Sequence, residues 1–240
     1  MRKTKSACPL CQSSTIETFY GQKKIPTINN VVYETKREAI NCLKGEVTLA
    51  FCRTCGFIFN SQFDVYLTKY TKKYDSYRSC SIVYKSYIDD VVNLLINKYK
   101  IKNKKILEVG CGDGEFLKLL CARGHSSGWG IDPAYKGKEK ESAITFIKDY
   151  FLGAKRIRIQ ADVCILRHTL EHIENPCEFL NDIVNNVEFK KELMVVIEVP
   201  DFGWIAKQGS FWDITYEHCN YFTEKSLKNL FDLSNIYCQN

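Results

Sequence analysis

The chain has 240 residues, 45% of them hydrophobic and 26% charged, which is enough for one good core and a small accessory module in an ordinary globular composition. Its formal charge of +6 is spread over many lysines rather than gathered in a block, so charge alone argues against a nucleic-acid-binding role. No apolar run approaches the roughly 18–20 residues of a membrane span, and no apolar signal core follows Met1, so the twelve cysteines read as reduced cytoplasmic thiols, some of them holding metal.

Residues 1–66 read as a separate small unit. They hold two Cys-x-x-Cys pairs, Cys8/Cys11 and Cys52/Cys55, with short strand-like runs at 46–51 and 57–59. Each pair places two thiolates close enough to grip one ion, and two such knuckles complete a tetrahedral zinc site, with Gly56 suited to the tight turn. A closed four-cysteine site leaves no open position, so its role is structural. A redox pair is the alternative, but it expects a helix start in a thioredoxin-like βαβ unit, which neither pair has. Cys42 lies between the pairs and competes as a ligand with poorer spacing.

An aromatic, lysine-rich connector over 66–77 leads to a helix, marked by Tyr84, Ile88, Val91, Val92, Leu95 and Tyr99 at helical spacing; residues 67–104 together read as a helical connector or lid. From Lys105 to the end at 240, strand and helix patterns alternate, which predicts an α/β, Rossmann-like domain with a mainly parallel sheet. The strands are expected at 105–109, 128–132, 144–147, 162–166 and 193–199. After the first, Glu108-Val109-Gly110-Cys111-Gly112-Asp113-Gly114 forms a glycine loop that opens a helix at Glu115. Glycines there let the backbone turn tightly and approach a ligand with no Cβ in the way. The third glycine comes one residue earlier than in a dinucleotide fingerprint. With Glu108 two residues ahead of Gly110, the pattern resembles motif I of the class I S-adenosylmethionine-dependent methyltransferases.

The next strand ends in Asp132, about twenty residues beyond the loop and placed to accept both ribose hydroxyls of such a cofactor. A turn or cap before Pro133 is the other use of that acid. The third strand is followed by Asp149 and Tyr150, suited to the adenine amino group and ring. Asp162 to Ile173, with its Leu170-Glu171-His172-Ile173, and the fifth strand up to Pro200 look like the corresponding segments of these methyltransferases. The resemblance also implies cofactor contacts for Arg167 and His168. His168 and His172 alternatively serve as packing or capping residues at the sheet's carboxyl edge, and His172 is assigned there.

Phe211 to Thr223 follows the fifth strand and sets Tyr216, Glu217 and His218 among aromatics, with a capped helix expected from Thr223 to about 233. A four-cysteine unit, these motifs and a late Tyr-Glu-His together resemble the sugar C-methyltransferases, which act on nucleotide-linked deoxysugars. That resemblance implies His218 as the base, Tyr216 as the donor to a forming enolate oxygen, and Glu217 as an orienting or substrate-binding carboxylate. The sugar enzymes have Tyr-His-Glu-His here; this chain is one residue shorter, which puts the facing of Tyr216 in doubt.

Only forty residues follow Pro200, room for one short strand at most in 234–240, so the fifth strand is expected to lack a neighbour and the chain to be shortened. The expectation is an S-adenosylmethionine-dependent C-methyltransferase with a structural zinc module, acting on a keto-sugar nucleotide or similar polar small molecule. An RNA methyltransferase with a zinc module and a non-catalytic binding module are the alternatives.

Overall fold

The computed structural model describes residues 5–68, 74, 81–151 and 158–238. Most of the connector expected over 66–77 lies outside them. Two compact units emerge: one from 1–69, 168–181 and 199–240, the other from 70–167 and 182–198. They interleave along the chain, where the sequence division at 66 and 104 runs in consecutive blocks.

The second unit carries the parallel sheet. Its strands β4 (Lys105–Val109), β5 (Ser127–Ile131), β7 (Ile144–Ile147), β9 (Val163–Arg167) and β11 (Met194–Glu198) lie in the order β11-β9-β4-β5-β7, with the short β6 (Lys140–Glu141) antiparallel at the β7 edge. All other neighbours are parallel, and each strand starts within a residue of its expected position. β4 is buried from Ile106 to Val109 and β9 throughout, as strands covered on both faces must be. α2 (Ile82–Asn97) buries Ile88, Val92, Leu95 and Ile96 against this sheet's core, and α3 (Glu115–Gly124) adds Phe116, Leu117 and Leu120. Among the described residues β11 is the sheet edge, with all five of its residues half-buried. Two-residue strands β8 (Ile159–Gln160) and β10 (Val187–Glu188) pair separately, before β9 and after α4 (Pro176–Asn186).

The first unit is built on an antiparallel sheet. β1 (Ile16–Pro26) and β2 (Lys44–Cys52) form a long hairpin whose connection holds the short α1 (Lys36–Ile40); β3 (Ile58–Asn60) joins β2. The fourth strand comes from far along the chain: β12 (Asn220–Tyr221) pairs with β3. α5 (Phe202–Gln208) supplies Phe202 and Ile205 to the same core, and Phe202 N–H donates to the Phe222 carbonyl at 2.7 Å. α6 (Glu224–Leu233) starts where the sequence places it. Thr223 and Ser226 cap each other in a capping box.

Tyr216 is fully buried in this core, its ring 5.5 Å from that of Phe63 and lying against the backbone of Gly45 on β2. A Cβ at Gly45 would overlap that ring. Gly45→Ala is therefore expected to destabilise the protein by about 1–3 kcal/mol in denaturant unfolding, the usual cost of overpacking. Trimming the ring with Tyr216→Leu should cost less in the Gly45→Ala background than in the wild type. Additive effects of the two substitutions would show that Gly45 and Tyr216 are not in contact.

Candidate functional site

The carboxyl ends of β9, β4, β5 and β7 lie side by side, and from β4 the chain winds one way to β5 and the other way to β9. Such a reversal is where open α/β sheets bind ligands. Gly110, Gly112 and Gly114 all have positive φ, at 77°, 58° and 76°, so each occupies backbone that side chains disfavour. A Cβ on Gly114 would come within 2.5 Å of the Phe146 ring, which itself stacks on Tyr135 at 4.4 Å. Gly114 also forms the N-cap of α3, where Asp113 accepts from the Glu115 N–H at 3.1 Å.

Asp132 braces the loop. One carboxylate oxygen accepts from Gly112 N–H at 2.9 Å and the other from Ala134 N–H at 2.7 Å. Burial pushes its carboxyl up while these two donors pull it down, with a net upward shift. Each oxygen keeps a second lone pair, which is the capacity two ribose hydroxyls require. Asp149 and Tyr150 follow β7 and are exposed, with Asp149 accepting from the Tyr150 N–H at 2.7 Å.

Glu108 is 2% exposed, and its Oε2 has no hydrogen-bond partner among the described residues. The glycine cradle, the braced Asp132 and this orphaned oxygen together fit an S-adenosylmethionine-type group. Arg167, at the end of β9, is engaged within the sheet. Its guanidinium pairs with Glu198 and lies 4.0 Å from the centre of the Phe116 ring, while Tyr87 donates to the other Glu198 oxygen at 2.6 Å.

In the first unit the four predicted cysteines come together. Cys8 and Cys55 sulfurs are 3.6 Å apart and Cys11 and Cys52 sulfurs 3.5 Å apart, close to the ~3.8 Å edge of a tetrahedron with 2.3 Å metal–sulfur bonds. Gly56, at φ 74°, closes the second knuckle, and its N–H donates to the Cys52 carbonyl at 2.8 Å. Burial opposes ionisation of Cys52, but the Cys55 and Thr54 N–H groups outweigh it and bring the thiol down to about 7. The residues fit a tetrahedral ion.

The Tyr-Glu-His segment belongs to this same unit. The Tyr216 hydroxyl is taken by the main chain of Asp64, accepting its N–H at 2.9 Å, and Glu217 accepts from the Asn29 N–H. His218 stands edge-on to His172, ring centres 4.9 Å apart, and burial together with the neighbouring His172 pulls its imidazole down to about 3, so it is neutral. Cys219 N–H donates to the Glu171 carbonyl at 2.8 Å, and the Asn220 amide caps the Leu170 and Ile173 carbonyls, fixing the Leu170–His172 turn beside His218. Sequence reasoning missed Glu171. It is 2% exposed, one oxygen lies 3.4 Å from His168 Nδ1, and its side chain joins His172 and His218. Its adjacency to His172 within Leu-Glu-His-Ile was the signal available.

The family profile described as "Methyltransferase domain" matches residues 74–238, more than half of the chain, and the chain belongs to that family. A search of curated proteins gave no match. Among solved structures, the chain is similar to a SAM-dependent methyltransferase from Archaeoglobus fulgidus, at 20% identity and a TM-score of 0.47 over 66% of this chain and 73% of that one. It is also similar to the plantazolicin methyltransferase BpumL in complex with a monoazolic desmethylPZN analog and SAH, at 18% identity and 0.46 over 64% of each chain. A third is CalO1, a methyltransferase in calicheamicin biosynthesis, at 14% identity and 0.43 over 63% of this chain and 50% of that one. The chain thus spans 64% of BpumL, a little under two thirds of its length.

Burial raises the Glu108 carboxyl from 4.5 to about 8; Arg167 opposes the shift, and Asp113 and Asp132 reinforce it. The folded-state value lies above the unfolded one. The stabilisation from the protonated form is therefore complete below the unfolded value and is lost as pH rises through the folded one. Glu108→Gln keeps the shape and removes the titration. Thermal unfolding from about pH 5 to about pH 9 should show the wild type losing stability relative to this variant; parallel pH profiles would refute the buried, protonated state.

Proposed function

We propose that this member of the methyltransferase-domain family transfers a methyl group from S-adenosylmethionine to a carbon of a nucleotide-linked keto-deoxysugar or a similar polar small molecule. One observation carries the cofactor assignment: three successive left-handed glycines at the end of the central strand, braced by the Asp132 carboxylate. Glu108, Gly110, Gly112 and Gly114 would hold the methionine part, Asp132 the ribose hydroxyls, and Asp149 and Tyr150 the adenine. Arg167 and His168, at the end of β9, would complete the cofactor contacts. The bound cofactor supplies an electrophilic methyl whose sulfonium leaves as a neutral thioether, so no acid is needed at the leaving group. What the chain's own residues must do is receive a proton from the acceptor. The neutral His218 is the proposed proton acceptor. Tyr216 and Glu217, bound to the Asp64 and Asn29 main chains, act as positioning residues that fix the His218 segment. The sugar-nucleotide assignment is supported by the sequence resemblance alone.

We also assign a structural zinc ion to Cys8, Cys11, Cys52 and Cys55, supported by their sulfur separations. Cys52→Ser should remove one equivalent of zinc per chain and lower the unfolding temperature, as strong chelation should in the wild type. A wild type purified without zinc and unaffected by added zinc would remove this assignment.

S-Adenosylhomocysteine should bind the zinc-loaded protein in titration calorimetry. Asp132→Ala should weaken that binding by about 2–3 kcal/mol, roughly 30- to 150-fold, through the loss of two hydrogen bonds. Unchanged affinity would sink the ribose assignment. His218→Ala should leave the affinity intact and abolish methyl transfer.

A further inference from the structure

The turn at Leu170–His172 and the segment from Tyr216 to Asn220 gather three ligating side chains, of which the reading above uses only His218. Glu171, His172 and His218 each offer a donor atom, and these atoms lie within 4.8 Å of one another. Two further features mark the cluster as more than a packing accident. The first is Glu171 itself. Its Oε2 is buried with no hydrogen-bond partner among the described residues. A buried carboxylate oxygen left without a partner is costly, and a bound cation relieves that cost.

The second feature is the orientation of the rings. His172 Nδ1 lies 3.0 Å from the Glu217 carbonyl oxygen, and the His218 ring stands edge-on to the His172 ring at 4.9 Å between centres. A carbonyl oxygen can only accept, so the His172 proton sits on Nδ1. Metal-binding histidines are held by this outer arrangement. The Cys219 N–H bond to the Glu171 carbonyl ties the two ligand-bearing segments together, so the donors are held on one braced scaffold.

We propose that Glu171, His172 and His218 bind a divalent transition-metal cation of the zinc class, at a site separate from the four cysteines. Two imidazoles and one carboxylate are the donor types that zinc and its first-row neighbours take, at bond lengths of about 2.0–2.2 Å. Tetrahedral edges of about 3.4 Å follow from those lengths, so the donors draw together by at most about 1.4 Å on binding, which side-chain rotation supplies. His168, against the other Glu171 oxygen, orients the carboxylate from outside. Three protein ligands leave a fourth position for water or for a hydroxyl or ketone oxygen of a ligand. Occupancy takes the His218 lone pair, so the proton-acceptor role proposed for His218 belongs to the metal-free protein, and the loaded site instead holds an acceptor oxygen. The metal site does not depend on the cofactor assignment.

The test is equilibrium dialysis of the full chain against cobalt(II), with metal counted per chain and visible spectra recorded. The wild type should bind one equivalent more than His218→Ala and than His172→Gln. That equivalent should show ligand-field bands without the thiolate charge-transfer bands of a cysteine site. It should persist in Cys52→Ser. A wild type that binds no more cobalt than the two histidine variants, or an extra equivalent that disappears with Cys52→Ser, overturns the proposal. Titration of the same samples with S-adenosylhomocysteine separates the two readings. An extra equivalent without S-adenosylhomocysteine binding supports the metal site and refutes the cofactor assignment; the opposite pair of results refutes the metal site and supports the cofactor assignment.

Discussion

Each unit of this protein is arranged around a buried carboxyl group, and the cost of burying it constrains what can surround it. Glu108 and Glu171 are both 2% exposed and each has one oxygen without a partner. The two sites resolve the same cost in opposite ways. Around Glu108 the acids Asp113 and Asp132 add to desolvation and outweigh Arg167, so the group is held as the neutral acid. Around Glu171 burial pushes the same way, but the His168 hydrogen bond and the neighbouring imidazoles outweigh it and pull the carboxyl below its ordinary value. A neutral carboxyl beneath a glycine loop offers a hydrogen-bond donor. An anion among imidazoles attracts protons or cations. The difference comes from the neighbours rather than from depth of burial.

The second unit was legible because its signals are local. Parallel strands covered on both faces read as apolar runs bounded by turn residues, and β4, β7, β9 and β11 carry such runs. The glycine loop was legible for the same reason: three glycines at alternate positions have few other uses, and all three adopt the left-handed backbone that justifies them. The capping box at Thr223 and Ser226 is likewise a property of four adjacent residues. Asp132 was singled out by its spacing. Its bond to Gly112 N–H, which links strand end to loop, needed the fold.

The first unit was not legible, because its pairings are remote. Two residues, Asn220 and Tyr221, complete the sheet by pairing with Phe59 and Ile58 far back in the chain, and a two-residue strand has no periodicity to detect. With that pairing unseen, Tyr216 read as a polar functional group. In the fold its ring fills the space left by Gly45, and its hydroxyl satisfies Asp64. Glu171 was overlooked for the converse reason. An acid in a short turn is ordinarily solvated, and only the return of the chain at Cys219 and Asn220 buries it. The cysteine pairs were the exception, since each Cys-x-x-Cys turn is local to four residues, and the four sulfurs do come together in the fold.

The two roles proposed for the His218 lone pair, proton acceptor and metal ligand, imply different methyl acceptors. A neutral imidazole held near 3 is a weak base, and each pK unit of mismatch with the acceptor costs about 1.4 kcal/mol. It removes a proton from carbon only if the neighbouring oxygen's developing charge is stabilised. The Tyr216 hydroxyl, bonded to Asp64, is committed elsewhere. A cation held by Glu171, His172 and His218 would supply that stabilisation while occupying the lone pair, which moves proton removal to another base. It would also acidify a hydroxyl bound at its open position, as metal ions do for water. The metal-free cluster therefore suits an acceptor that is already acidic, and the loaded cluster suits one whose own oxygen can be bound. Glu171 favours the second arrangement, because its unpartnered buried oxygen is satisfied by a cation and not by a neutral imidazole.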